Sequence, residues 1–129
     1  MHALILDDEP LILSLLERML SLRGYDVAAY ANPTVCPLYS DMDCPCSSES
    51  PCPDVILADL KMPYVSGAEF IDHLRRKGCA CRNIALISGS WSAEDEVPSP
   101  LQGVSFFAKP FCIEKLESWL GKAERLMVR

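Results

Sequence analysis

The chain has 129 residues, half of them hydrophobic, and a formal net charge of -6 at pH 7. This length suits one domain with a substantial core, so we expect a single domain over residues 1–129. The acidic balance, without a cluster of lysines or arginines, argues against direct binding to nucleic acid or to an anionic membrane surface. The first apolar run is too short for a signal peptide or a membrane span, which predicts a cytoplasmic protein.

The first half of the chain alternates between strand-like and helix-like segments. Residues 3–6 form an apolar run typical of a buried parallel strand, and an amphipathic helical pattern follows over residues 10–23. A weaker strand pattern covers residues 26–30, which suggests a place near a sheet edge, and a short helix is predicted over residues 33–39. Residues 40–53, rich in Cys, Ser and Pro, break this rhythm and predict an insertion before the third strand.

The second half continues the alternation, with apolar strand patterns at residues 55–58, 84–87 and 104–108. An amphipathic helix that ends at Gly78 follows the first of these strands, and a helix over residues 113–127 follows the last, with Glu124 expected on its solvated face. Pro98 and Pro100 make the intervening fourth helix short or degenerate. The alternation predicts an α/β fold with a doubly wound, five-stranded parallel sheet.

Reactive polar residues stand where four of the predicted strands end. The acidic pair Asp7-Asp8 follows the first strand, Asp59 follows the third, Ser88 the fourth and Lys109 the last. In an open α/β sheet the ligand crevice lies beyond the carboxyl ends of the strands. We therefore expect these side chains to converge at one edge of the sheet.

The converging residue types suit magnesium and phosphoryl chemistry. Carboxylates held close together repel each other, and Mg²⁺ prefers the oxygen ligands that Asp7, Asp8 and Asp59 provide. A carboxylate can also act as a nucleophile toward phosphorus, with a metal ion and a lysine neutralising the charge that develops. Asp59, alone at the end of the middle strand, is the predicted nucleophile. Lys109 would pair with the phosphoryl group, and the Ser88 hydroxyl would donate a hydrogen bond to it.

In this order and strand context, the residues resemble the receiver domain of two-component response regulators. The matching residues span almost the whole chain and are Asp7-Asp8, Asp59-Leu60-Lys61-Met62-Pro63, Gly67, Ser88 and Lys109-Pro110. The resemblance implies a flavodoxin-like receiver fold and a role in phosphorelay signalling. It implies a phosphoacceptor switch with at most self-phosphorylation and self-dephosphorylation activity, not an enzyme. A sensor histidine kinase or phosphotransfer protein would be the donor, and a downstream protein, which the sequence does not identify, would be the target.

The resemblance also implies individual roles for site residues. Magnesium would be bound by the acidic pair Asp7-Asp8, by Asp59 and by the backbone carbonyl of Lys61. After phosphorylation of Asp59, Ser88 would move toward the phosphoryl group. Phe106, at the switch-aromatic position of the family, would then turn inward.

The chain departs from the family in its cysteines. Five of them lie in two segments that precede neighbouring strands, at the amino-terminal edge of the sheet: Cys44, Cys46, Cys52, Cys79 and Cys81. These thiols could supply the ligands of a zinc ion or an iron–sulfur cluster, although a single residue between paired cysteines is strained for zinc. Disulfide or redox chemistry and uncommitted surface thiols are the alternatives.

Three other functions share parts of this pattern. A protein-binding module that reports metal or redox state through the cysteines would not depend on phosphorylation of Asp59. A phosphatase of the haloacid dehalogenase type forms the same aspartyl phosphate, but Lys61 stands where its second aspartate should be. A flavodoxin-like electron carrier shares the predicted fold, but the acidic pair would repel the flavin phosphate.

Overall fold

The structure, a computed structural model, describes residues 1–32, 53–62, 65–78, 81, 83–88, 103–109 and 112–127. Within these residues the elements, in chain order, are β1 (His2–Leu6), α1 (Pro10–Leu22), β2 (Asp26–Tyr30), β3 (Val55–Asp59), α2 (Gly67–Arg76), β4 (Asn83–Ser88), β5 (Ser105–Ala108) and α3 (Ile113–Met127). The helix predicted at 33–39, the short or degenerate fourth helix around Pro98 and Pro100, and the cysteine-rich insertion except for Pro53 lie outside the described residues.

The five described strands form one parallel sheet in the order β2-β1-β3-β4-β5. The direction of winding changes between β1 and β3, which is the topological switch point of a flavodoxin-like sheet. The predicted doubly wound, five-stranded parallel sheet is therefore confirmed. No helix within the described residues is long and apolar enough to cross a bilayer.

Burial along each strand follows its position in the sheet. All five residues of β3, at the centre, are buried, as expected for a parallel strand that is covered on both faces. At the edge, β2 exposes Asp26 and Ala28. This difference explains why the apolar pattern of β2 is weaker than that of β3.

Two core layers cover the opposite faces of the sheet, because successive side chains of a strand point to opposite faces. One layer joins α2 to the sheet through residues that include Phe70, Ile71, Leu74, Leu4, Ile56 and Leu86. The other joins α1 and α3 to the sheet through residues that include Leu16, Leu20, Leu116, Leu120, Ile5 and Leu57. Each layer buries the apolar stripe that the sequence pattern gives to its helices.

A charged cluster, here called the amino-edge cluster, consists of Arg23, Tyr25 and Glu124. Arg23 lies where α1 returns to the amino edge of the sheet, and its guanidinium binds the Glu124 carboxylate through both Nε and Nη2. The hydroxyl of Tyr25, which is 5% exposed, donates to Glu124 Oε2 at 2.9 Å. The hydrogen bond from Arg23 lowers the pKa of Glu124. The expectation that Glu124 lies on a solvated face is therefore wrong, because α3 packs beside the end of α1.

Candidate functional site at the carboxyl edge of the sheet

Three acidic residues and one lysine meet where β1, β3 and β5 end. Lys109 Nζ lies 3.3 Å from Asp7 Oδ2, 3.3 Å from Glu9 Oε1 and 3.1 Å from Asp59 Oδ2. We call these four residues the carboxyl-edge cluster. The structure thus brings together Asp7, Asp59 and Lys109. Asp7 and Asp59 are 52 residues apart in the sequence, and Asp59 and Lys109 are 50 residues apart.

Backbone amides fix the orientation of both buried aspartates. Asp7 Oδ1 accepts a hydrogen bond from the backbone N–H of Glu9 at 2.8 Å, and Asp59 Oδ1 accepts one from the N–H of Lys61 at 3.2 Å. Such bonds between an aspartate and the residue two positions later stabilise a turn. Each turn holds one carboxylate oxygen, so the other oxygen is the one that faces Lys109.

Gly67 allows the beginning of α2 to approach the end of β3. A Cβ atom on Gly67 would lie 2.5 Å from the backbone oxygen of Asp59 and 2.9 Å from Leu86 Cδ2. The N–H of Gly67 donates to the Leu60 carbonyl at 2.9 Å, and the Ser66 hydroxyl caps the helix by accepting from the N–H of Glu69. Because any side chain at position 67 would collide with the backbone of Asp59, glycine supports the geometry of the site.

The carboxyl-edge cluster carries more negative than positive charge. Asp7 is 1% exposed and Asp59 is 6% exposed, and burial raises the pKa of both carboxyls in spite of the nearby lysine. Burial disfavours the charged form of Lys109, but its hydrogen bond to Asp59 and the charges of both aspartates outweigh this effect and raise its pKa. A single ammonium therefore faces three carboxylates, which leaves a formal excess of two negative charges when all are ionised.

This donor set fits a divalent cation that prefers oxygen ligands. One oxygen from each of Asp7, Glu9 and Asp59 lies within 4.8 Å of the others. Asp7 Oδ2 is buried and accepts no hydrogen bond from the described part of the chain, although the Lys109 ammonium is 3.3 Å away. Magnesium is commonly held by carboxylates and would balance the remaining charge.

The structure places the second acid of the predicted pair differently. Asp8 is exposed and does not belong to the three carboxylates that converge, whereas Glu9 does. The sequence pattern gave Glu9 no place in the site, although its position as the third acid in the run Asp7-Asp8-Glu9 was an available signal. The side chain of Lys61 is exposed, and its N–H bonds to Asp59.

Ser88 and Phe106 lie on the last two strands of the sheet, and Ser88 adjoins the site. Ser88 ends β4 and is 2% exposed, and its carbonyl accepts a hydrogen bond from the N–H of Lys109 at 2.8 Å. Phe106 is partly buried against the core layer that contains α2. Phe107 packs on the opposite face, where its ring makes an edge-to-face contact with Trp119. The movements of Ser88 and Phe106 on phosphorylation stay predictions.

Among the five cysteines of the predicted cluster, the described residues include Cys81. It is 9% exposed, packs in the core layer of α2, and directs its Sγ toward the Asn83 carbonyl at 3.8 Å. These surroundings are those of a small hydrophobic residue. The other four, Cys44, Cys46, Cys52 and Cys79, lie outside the described residues. A zinc site, an iron–sulfur cluster and a disulfide all stay predictions, and nothing in the described residues favours a metal- or redox-responsive function.

A parallel 2-1-3-4-5 sheet with buried aspartates and a lysine beyond its carboxyl ends defines the class of receiver-like signalling domains. A sequence profile of the response regulator receiver domain matches residues 3–120. The chain therefore belongs to the response regulator receiver domain family. Members of this family act in two-component phosphorelay signalling, where they are phosphoacceptor switches and not classical enzymes.

Solved structures of receiver domains share the fold over nearly the whole chain. The chemotaxis response regulator CheY4 of Vibrio cholerae has a TM-score of 0.74 at 23% identity, covering 95% of this chain and 97% of its own. A response regulator receiver protein from Pseudomonas putida has a TM-score of 0.74 at 25% identity, covering 94% and 95%. The response regulator TrrA from Thermotoga maritima, in complex with Mg²⁺ and BeF, has a TM-score of 0.71 at 23% identity, covering 95% and 97%. No curated protein sequence matches the chain.

Proposed function

We propose that this chain accepts a phosphoryl group on Asp59 from the phosphohistidine of a sensor histidine kinase or phosphotransfer protein. The reaction requires Mg²⁺, and the phosphorylated chain controls a protein partner. The observation that carries the proposal is the setting of Asp59. Its carboxylate is buried, one oxygen is held by a backbone amide, and the other faces Lys109 in a cluster with excess negative charge. The family match and the Mg²⁺–BeF complex of the similar TrrA support the same reading.

Asp59 is the nucleophile of the proposed transfer. A carboxylate oxygen of Asp59 forms a bond to phosphorus while the phosphorus–nitrogen bond of the donor breaks. The electron pair of that bond stays on the histidine nitrogen, which takes up a proton. The hydrogen bond from Lys61 N to Asp59 Oδ1 keeps the carboxylate in one orientation during this attack.

The surrounding residues would hold the ion and the transferred group. Asp7, Asp59 and the Lys61 carbonyl are the proposed magnesium ligands, and the ion, when bound, would neutralise negative charge on the phosphoryl oxygens. Asp8, the fourth ligand predicted from the sequence, is exposed and would have to turn toward the ion. Lys109 exchanges its contact with the Asp59 carboxylate for one with a phosphoryl oxygen.

The buried Ser88 hydroxyl donates a hydrogen bond to the phosphoryl group, and Phe106 then turns inward and changes the surface that a partner contacts. The unassisted activity of the chain is limited to self-phosphorylation from small donors and self-dephosphorylation. A cytoplasmic location, expected from the sequence, is part of the same proposal.

Intact mass spectrometry tests the proposal. Incubation of the chain with acetyl phosphate and Mg²⁺ should add the mass of one phosphoryl group, and an excess of EDTA should prevent the addition. Asp59→Ala should abolish it, whereas Asp26→Ala, which removes an exposed aspartate on β2, should not. Addition to the Asp59→Ala variant, or no addition to the wild-type chain, would refute the proposed function.

A further inference from the structure

Glu9 is the member of the carboxyl-edge cluster to which the sequence pattern gives no role. Its Oε1 accepts a hydrogen bond from Lys109 Nζ at 3.3 Å, and one of its oxygens lies within 4.8 Å of oxygens from Asp7 and Asp59. Asp8, its neighbour in sequence, is exposed and outside this group. The turn after β1 therefore directs the first and third acids of the run toward the pocket, and not the second.

A second observation indicates that these carboxylates surround a place for a cation. Asp7 is 1% exposed, and its Oδ2 accepts no hydrogen bond from the residues that the structure describes. A buried carboxylate oxygen is costly unless its charge is compensated. Lys109 Nζ forms an ion pair with this oxygen at 3.3 Å, but the same ammonium is shared with Glu9 and Asp59. One ammonium does not satisfy three carboxylates.

We propose that Glu9 is a ligand of the divalent cation, together with Asp7 and Asp59. This inference rests on the proposed function and adds Glu9 to its ligand set. The side chain of Glu9 is 60% exposed, so it can turn from Lys109 toward an ion with little repacking. The same carboxylate contacts Lys109 when no ion is bound, so its turn toward a cation would release one of the three carboxylates that hold the lysine.

Isothermal titration calorimetry with MgCl₂ on the full chain tests the role of Glu9. Glu9→Gln keeps the length and shape of the side chain and removes its charge, and we expect it to weaken Mg²⁺ binding about tenfold. Glu9→Asp keeps the charge on a side chain that is one methylene shorter, and we expect a loss of at least about threefold. Glu17→Gln removes an exposed carboxylate further along α1 and should leave the affinity within about twofold of wild type.

The increase in unfolding temperature that Mg²⁺ causes gives an independent readout, because a ligand stabilises the folded state in proportion to its affinity. Glu9→Gln should show a smaller increase than wild type and than Glu17→Gln. An unchanged Mg²⁺ affinity in Glu9→Gln would overturn the inference. Weaker binding in Glu9→Gln with wild-type binding in Glu9→Asp would mean that Glu9 contributes only charge, and would overturn its assignment as a ligand. Absence of Mg²⁺ binding by the wild-type chain, or phosphorylation of Asp59→Ala, would refute the proposed function instead.

Discussion

Two charged clusters lie at opposite edges of the same sheet and differ in their balance of charge. In the amino-edge cluster, one guanidinium binds one carboxylate, and a tyrosine hydroxyl donates to the same carboxylate. In the carboxyl-edge cluster, one ammonium contacts three carboxylates. The pKa directions follow this difference, because Arg23 lowers the pKa of Glu124 whereas burial raises the pKa of Asp7 and Asp59.

The difference separates a cluster that stabilises the fold from one that the fold must support. A lowered carboxylate pKa means that the folded state favours the charged form, so the pairing of Glu124 contributes to stability at neutral pH. A raised pKa means that the charged forms of Asp7 and Asp59 destabilise the folded state. Buried carboxylates with raised pKa values are a common mark of a functional site. Each prediction below changes one of these clusters or the backbone that supports it.

The largest effect is expected from Gly67→Ala, which alters the support of the carboxyl-edge cluster. The new methyl group would lie 2.5 Å from the Asp59 carbonyl oxygen, so either α2 or the end of β3 must move. We expect the free energy of unfolding in urea to fall by about 2 to 3 kcal/mol. Phosphorylation by acetyl phosphate should also decrease, because Asp59 shifts relative to Lys109. A Gly67→Ala variant as stable as wild type would show that the beginning of α2 does not lie this close to the end of β3.

Glu124→Gln should have the next largest effect, since it removes the carboxylate at the centre of the amino-edge cluster. Loss of the charge-assisted bonds from Arg23 should reduce the free energy of unfolding by about 1 to 2 kcal/mol at pH 7. The folded-state pKa of Glu124 lies below its ordinary value of 4.5. The stabilisation is therefore fully present above the unfolded pKa and is lost as the pH falls through the folded pKa.

Urea unfolding at pH 7 and at about pH 3 measures this dependence, and the difference between wild type and Glu124→Gln should shrink at the lower pH. Glu114→Gln, which removes an exposed carboxylate from the first turn of α3, is the matched control. A difference that does not change with pH would mean that Glu124 acts through packing and not through its charge.

The two clusters were not equally predictable from the sequence. β1, β3 and β4 contain continuous apolar runs because parallel strands are buried on both faces, and a polar residue stands where each run stops. The carboxyl ends of parallel strands share one edge of the sheet, so the meeting of Asp7, Asp59 and Lys109 followed from topology. The choice of Glu9 over Asp8 did not, because it depends on the turn in which Asp7 Oδ1 binds the N–H of Glu9.

The amino-edge cluster depends on contacts between distant parts of the chain. Arg23 and Glu124 are 101 residues apart, and Tyr25 and Glu124 are 99 apart. Their meeting requires that α1 and α3 cover the same face of the sheet with a particular offset along their axes. Alternation of charges on α3 could not reveal this offset, so the sequence pattern indicated a solvated face for Glu124.

Asp59→Asn should stabilise the protein when divalent cations are absent. The pKa of Asp59 is raised by burial, so removal of its charge relieves a cost that Lys109 only partly offsets. In urea with EDTA we expect a gain of about 1 kcal/mol. Asp8→Asn, which removes an exposed charge, should change stability by less than about 0.5 kcal/mol. Destabilisation by Asp59→Asn would mean that the pairing of Asp59 with Lys109 outweighs the cost of burial. Both clusters would then stabilise the fold through their charges.

Gly121→Ala, near the amino-edge cluster, should have the smallest effect on the free energy of unfolding. The change should be opposite in sign to that of Gly67→Ala. Gly121 lies inside α3, three residues before Glu124, and no described atom is within 4 Å of the position that its Cβ would take. Alanine in a helix interior is favoured over glycine by about 0.5 to 1 kcal/mol, so the free energy of unfolding in urea should rise by this amount. Phosphorylation by acetyl phosphate should stay at the wild-type level. The two variants add the same methyl group. Stability changes of opposite sign would therefore show that the cost at Gly67 comes from its contact with Asp59 and not from the loss of glycine itself. A loss of stability in Gly121→Ala would remove that distinction.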